Sequence, residues 1–131
     1  MMSMDSVYLR VPAKPEYMLV IRLTTSAVAS RAGFDVDEIE DIKLAVSEAG
    51  TFMMNHDKGV EWLELEFKVD KEEGIWIDIF ASKAAHQDVL FSNNEQSELS
   101  FYIMESLMDG VEKAIDNGFL RGIKMYKKFG G

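Results

Sequence analysis

Between residues 63 and 79 apolar and polar side chains alternate. Leu63, Leu65, Phe67 and Val69 are interleaved with Glu64, Glu66 and Lys68; after the acidic turn from Asp70 to Gly74, Ile75, Ile77 and Ile79 are interleaved with Trp76 and Asp78. A period of two predicts two adjacent antiparallel strands with one buried face. Trp62, Trp76 and Phe80 share the opposite parity, so they point away from that buried face. An exposed aromatic group suggests a partner or homodimer surface, unless the amino terminus or a loop covers it.

Upstream the period changes. Val7 to Val11 alternates loosely and stops at Pro12, which reads as a short edge strand leading to a helix with Pro15 and Glu16 in its first turn. Tyr17, Val20, Ile21, Thr24, Ala27 and Val28 fall on one helical stripe, with Arg22, Ser26 and Ser30 opposite and Gly33 as a left-handed stop. Asp35 and Glu38 have capping-box spacing, and Ile39, Ile42, Val46, Ala49 and Met53 then repeat at helical intervals to about His56. Downstream, Ala81 to Gln96 has no sustained period and reads as an irregular connection. A third helix is predicted over about Ser97 to Met108, then a hairpin of Val111 to Asp116 and Phe119 to Lys128 around Asn117-Gly118. Strand, two helices, two strands, connection, helix, two strands: this order predicts an α/β (α+β) two-layer sandwich, helices on one face of a mixed, mainly antiparallel sheet.

Composition narrows the function classes. The 131 residues, 47% hydrophobic and 28% charged, suit one domain spanning 1–131. No cysteine is present, which excludes disulfides and thiolate metal sites, and no apolar run suggests a leader or a membrane span, so a cytoplasmic protein is expected. The formal net charge of −9 repels a phosphate backbone and argues against nucleic-acid binding, while leaving a basic protein partner open. Two distant histidines, His56 and His86, make no metal set.

Several stretches, in order, resemble one family. Arg22-Leu23-Thr24 through Ala29-Ser30-Arg31, and then Asp41-Ile42-Lys43-Leu44-Ala45-Val46-Ser47-Glu48-Ala49, are similar to the opening of the anti-sigma-factor serine-protein kinases that regulate general-stress and sporulation sigma factors. Ile103 to Asp109 resembles the family's helix after its glycine-rich lid, and Gly122-Ile123-Lys124-Met125 its closing strand. The resemblance implies the GHKL histidine-kinase-like ATPase fold, with ATP and magnesium as cofactors in active members.

Carried over residue by residue, the resemblance is uneven. The family pattern Glu-Ala-x-Thr-Asn is matched by Glu48, Ala49 and Thr51, but Phe52 stands where the asparagine would give magnesium an oxygen ligand. Glu48 would be the general base for phosphoryl transfer to a partner serine if ATP is bound, and is otherwise an ordinary helix carboxylate. The Asp-x-Gly that anchors adenine is replaced at Ala81 and Lys83. The Gly-x-Gly whose amides face phosphate is replaced at Glu98, Leu99 and Ser100, and no glycine occurs from Ile75 through Asp109. Each lost hydrogen bond to a charged group costs about 1.5–3 kcal/mol, so several losses plus the Glu98 charge would weaken ATP binding roughly a thousandfold or more. Arg22 matches an arginine that contacts partner proteins in the family; the alternative is a solvated surface arginine.

The expectation is an anti-sigma-factor-like regulator that binds a sigma factor or an anti-sigma-factor antagonist, with impaired or no ATP binding. The alternative is an active ATP-dependent serine-protein kinase using Glu48. A third reading is a repurposed, more apolar pocket for another small ligand.

Overall fold

The computed structural model describes residues 4–56, 59–82 and 93–130. Strand β1 (Met4–Pro12) leads through a 3-10 turn (Pro15–Tyr17) into helix α1 (Met18–Ala32), then α2 (Val36–His56), β2 (Trp62–Asp70), β3 (Gly74–Ala81), α3 (Glu95–Leu107), β4 (Gly110–Asp116) and β5 (Phe119–Lys128). The five strands form one sheet in the order β1-β2-β3-β5-β4, and all four pairings are antiparallel. The sheet is therefore not mixed. β3 and β4, linked through α3, do run in the same direction, but β5 lies between them and no parallel ladder forms among the described residues.

The period-two alternation decides which face is buried. Leu63, Leu65, Phe67, Ile75, Ile77, Ile79 and Ile123 are fully buried, and the same core takes Ile21 of α1, Ile42, Val46 and Met53 of α2 and Met104 of α3. At about 1.5–3 kcal/mol for each large apolar side chain removed from water, this layer is the main favourable contribution to folding. All three helices thus sit on one side of the sheet. Among the described residues no helix covers the other side.

Local signals set the boundaries. The Asp35 box forms as its spacing predicts: the Glu38 amide donates to Asp35 Oδ1 at 2.8 Å and the Asp35 amide to Glu38 Oε1 at 3.0 Å. Gly33 ends α1 at φ 110°, and Asn117 and Gly118 turn the last hairpin at φ 52° and 81°. Gly74 closes the β2–β3 turn at φ 150°, where a Cβ would come within 2.1 Å of the Lys127 carbonyl oxygen. Lys127, buried, donates from Nζ to the Leu107 carbonyl at 3.1 Å and so satisfies the last turn of α3.

Three expectations are corrected in detail. β1 begins at Met4, earlier than Val7, because Met4 to Ser6 pair with Asp70 to Lys68 whatever their side chains. The buried stripe of α1 is Met18, Ile21, Thr25 and Ala29; Val20 is 40% exposed and Ala27 is also exposed. α1 packs on α2 as well as on the sheet, and the Met18 thioether lies against Gly50, which rotates the buried stripe toward small side chains. Finally, α3 starts at Glu95, capped by Asn94, two residues before the expected start at about Ser97.

Candidate functional site

The residues matched to the nucleotide motifs come from α2, the end of β3 and the start of α3. On α2, Glu48 and Phe52 are one helical turn apart on the same side. Glu48 is partly buried and makes no hydrogen bond or ion pair among the described residues. One residue before it, the Ser47 hydroxyl is buried without a hydrogen-bond partner. Phe52 is 8% exposed. Its ring stands edge-on to Phe101 of α3 at 5.3 Å between centroids and stacks on His56 at 5.6 Å with 13° between planes.

The α3 side of the cleft is closed in a complementary way. Phe101, Ser97, Ser100 and Met104 are buried, while Glu98 is exposed. From β4, Lys113 places its ammonium 4.4 Å from the centre of the Phe101 ring. A cation over an aromatic face is worth about 0.5–2 kcal/mol. His56, Phe52, Phe101 and Lys113 therefore form a continuous row across α2, α3 and β4.

At the start of α3 the Asn94, Ser97 and Glu98 amides are engaged by a local cap. Asn94 Oδ1 accepts from the Ser97 amide at 2.9 Å, the Ser97 hydroxyl accepts from the Asn94 amide at 2.9 Å, and the Glu98 amide donates to the Asn94 carbonyl at 2.9 Å. Helix N-termini bind anions through amides that have no partner inside the helix. With the helix starting at Glu95, Glu98 stands in its first turn and Leu99 and Ser100 follow within the helix.

Ala81 ends β3 opposite Leu63 and packs at the edge of the core. Lys83 and His86 lie outside the described residues. Arg22 sits apart from this cluster on the exposed face of α1, makes no hydrogen bond or ion pair among the described residues, and has exposed Leu19 and Leu23 as helical neighbours. The structure thus brings Phe52 together with the segment that carries Ser100, and leaves Arg22 on a separate surface. Among the described residues no group of three or more His, Cys, Asp or Glu could hold a metal ion, and no helix is long and apolar enough to cross a membrane. The motif comparison missed Phe101 and Lys113. The available signal was that Phe101 follows the substituted glycine pattern directly, so a ring there has the same cleft to fill as Phe52.

The family model for the histidine kinase-like ATPase domain matches residues 11–119. Among curated proteins, the serine-protein kinase RsbW of Bacillus velezensis is 34% identical over 95% of this chain and 87% of its own length. RsbW of Bacillus subtilis strain 168 is 38% identical over 93% and 86%, and RsbW of Listeria monocytogenes 37% over 87% and 82%. The chain belongs to the RsbW serine-protein kinase family of histidine kinase-like ATPase domains. A crystal structure of the RsbU and RsbW domains of a Mycobacterium tuberculosis protein superposes with a TM-score of 0.65 over 95% of this chain and 31% of that one, at 13% identity, a likeness of fold. Within the RsbW family, then, this chain shares the fold and carries an aromatic cluster in the cleft between α2 and α3.

Proposed function

We propose that this chain, read as one domain over 1–131, is an anti-sigma-factor-like regulator that acts by protein–protein binding. It captures a sigma factor or an anti-sigma-factor antagonist in the cytoplasm and does not depend on ATP. The observation that carries this reading is Phe52, buried against Phe101 at the position where the family's magnesium asparagine would stand. The residues present do not fit a magnesium nucleotide. A phenyl ring offers magnesium no oxygen, Ala81 offers adenine no acceptor, and the α3 amides that would meet phosphate are bonded to Asn94 or within the helix. Glu98 adds a carboxylate at the same helix end.

Glu48 supports the alternative, an active serine-protein kinase, because it is retained one turn before Phe52 and is free of ion pairs among the described residues. One experiment separates the two. The purified chain is titrated into a family sigma factor and a serine-bearing antagonist, with and without magnesium-ATP, and phosphate transfer is followed by mass spectrometry. The binding reading expects equal affinity in both conditions and an unmodified antagonist. Stoichiometric serine phosphorylation that is lost in Glu48→Gln would establish the kinase instead.

A further inference from the structure

Strand β1 lies at the edge of the sheet, and among the described residues nothing pairs with its outer side. One bond tells which of its backbone groups face outward. The Ala13 amide donates to the Glu61 carbonyl at 2.8 Å, in register with the ladder that sets Val11 opposite Leu63 and Leu9 opposite Leu65. Bonded positions alternate along an antiparallel pair, so the odd-numbered residues of β1 bond to β2, and Ser6, Tyr8 and Arg10 turn their amides and carbonyls to the free edge. Pro12 closes that edge: it has no amide, and its carbonyl accepts from the Lys14 amide at 2.8 Å. The ladder with β2 runs from Met4 to Pro12 without a bulge.

Beside this edge the helix layer stops short. Val7 has the parity of the buried Val11, yet it is 40% exposed, and with Val69 of β2 and Ala27, Val28 and Ala32 of α1 it lines a groove of about 270 Å³. Thr24 and Val20 lie on the same flank of α1 one and two turns earlier, and Val20 is also 40% exposed. This is the stripe that the helical period marks as apolar and that the packing of α1 on α2 leaves uncovered. Arg22, two residues from both Val20 and Thr24, belongs to the opposite flank. At one end of the groove stand Arg31, Lys71 and Asp5. None of the three is in an ion pair among the described residues, and together they hold one net positive charge on a chain of formal net charge −9. We propose that the β1 edge and this groove dock an extended segment of a partner protein, which adds a strand to the five-stranded sheet. Unpaired amides and carbonyls at Ser6, Tyr8 and Arg10 select a backbone in strand conformation. Every second side chain of that strand turns to the helix side, where apolar ones fill the groove over Val7 and Val28 and one acidic one neutralises the Arg31, Lys71 and Asp5 group. Main-chain bonds then supply affinity, and the groove and its charge supply specificity. This surface is separate from the Arg22 face and does not rest on the state of the nucleotide cleft.

The test titrates the full chain with the acetylated, amidated peptide Thr-Val-Thr-Val-Thr-Glu-Thr and follows amide hydrogen exchange residue by residue. Without peptide, the Ser6, Tyr8 and Arg10 amides should exchange fast and those of Val7 and Leu9 slowly. The peptide should bind with a dissociation constant of about 1 mM or tighter and, near saturation, slow exchange at Ser6, Tyr8 and Arg10 by about fivefold or more. Only one alternate set of its amides faces β1, whichever way the strand runs, so N-methylation of one set should abolish binding and N-methylation of the other should leave it. Ala27→Glu and Arg31→Glu change exposed side chains of α1 and should each weaken binding about tenfold or more, while Arg22→Glu should not change it. No saturable binding, equal binding by both methylated peptides, or indifference to both Ala27→Glu and Arg31→Glu would overturn the proposal. So would protection of Ser6, Tyr8 and Arg10 that rises with the concentration of the chain alone, because the occupant of the edge would then be a second copy.

Discussion

Phe52→Asn changes one side chain toward the family pattern and distinguishes a filled cleft from an open one. Phe52 is 8% exposed and its ring touches Phe101 and His56. Truncating a buried phenylalanine costs about 3–5 kcal/mol, and an aromatic pair adds about 0.5–1.5 kcal/mol beyond the buried area. The truncation figure already contains the lost ring contacts, and Asn refills part of the vacated space, which offsets the cost of about 1–3 kcal/mol for an amide left unpaired. About 4 kcal/mol is a fair central figure. For a chain of 131 residues, 1 kcal/mol corresponds to about 3–5 °C, so the melting temperature should fall by about 12–20 °C. Phe52→Leu, which keeps most of the apolar volume, should lose less than half as much. The assay is thermal unfolding followed by circular dichroism, with magnesium-ATP absent and then present. An open nucleotide pocket would solvate the amide and accept the change with a shift of only a few degrees. That result, or a rescue of the variant by magnesium-ATP, would refute the packing argument.

Restoring all five substituted positions, Phe52→Asn with Ala81→Asp, Lys83→Gly, Glu98→Gly and Ser100→Gly, should give measurable magnesium-dependent ATP binding that Phe52→Asn alone lacks; equal binding by the single variant in calorimetry would show that the losses are not distributed. Glu98→Gly and Ser100→Gly lie within α3, so the fivefold variant should be less stable than Phe52→Asn alone by about 1 kcal/mol for each of these two glycines. Arg22→Glu should leave the melting temperature unchanged and weaken the sigma-factor or antagonist complex at least tenfold, and an unchanged affinity would remove that face of α1 from the binding surface. Lys68 is held above its ordinary value of 10.5, first by its hydrogen bond to Asp78, and Tyr8 above 10.0, first by its hydrogen bond to Glu64. Both raised values contribute stability that is present below the ordinary value and lost as pH rises through the folded one, so the melting temperature should decline from about pH 10 upward. The exposed setting keeps the effect small, and Lys68→Gln combined with Tyr8→Phe should flatten it in a pH series of melts.

The fold was legible where one physical requirement acts alone. Strict alternation in β2 and β3 admits one buried face, and the Asp35–Glu38 box and the Asn117-Gly118 turn are local chemistry that depends on nothing distant. Legibility failed where tertiary packing chooses. The α1 stripe turns on how closely Met18 approaches Gly50 of another helix, and a helical period cannot encode that. α3 begins two residues before the predicted Ser97 because Asn94 and Ser97 together form a reciprocal cap, a local signal inside the stretch from Ala81 to Gln96 that has no sustained period. At the candidate site, the substitutions at Phe52, Glu98 and Ser100 could be seen in the chain, as could the loss of glycine. That Phe52 meets Phe101, and that Lys113 covers it from β4, depends on contacts between residues far apart in sequence.

The central claim, that the cleft between α2 and α3 is packed and the chain works without nucleotide, is tested most directly by titrating the full-length wild type with ATP in a calorimeter, once with magnesium and once with a chelator. No saturable heat is expected below about 1 mM ATP, and the traces in the two conditions should be identical. Saturable, magnesium-dependent binding in the micromolar range would contradict it.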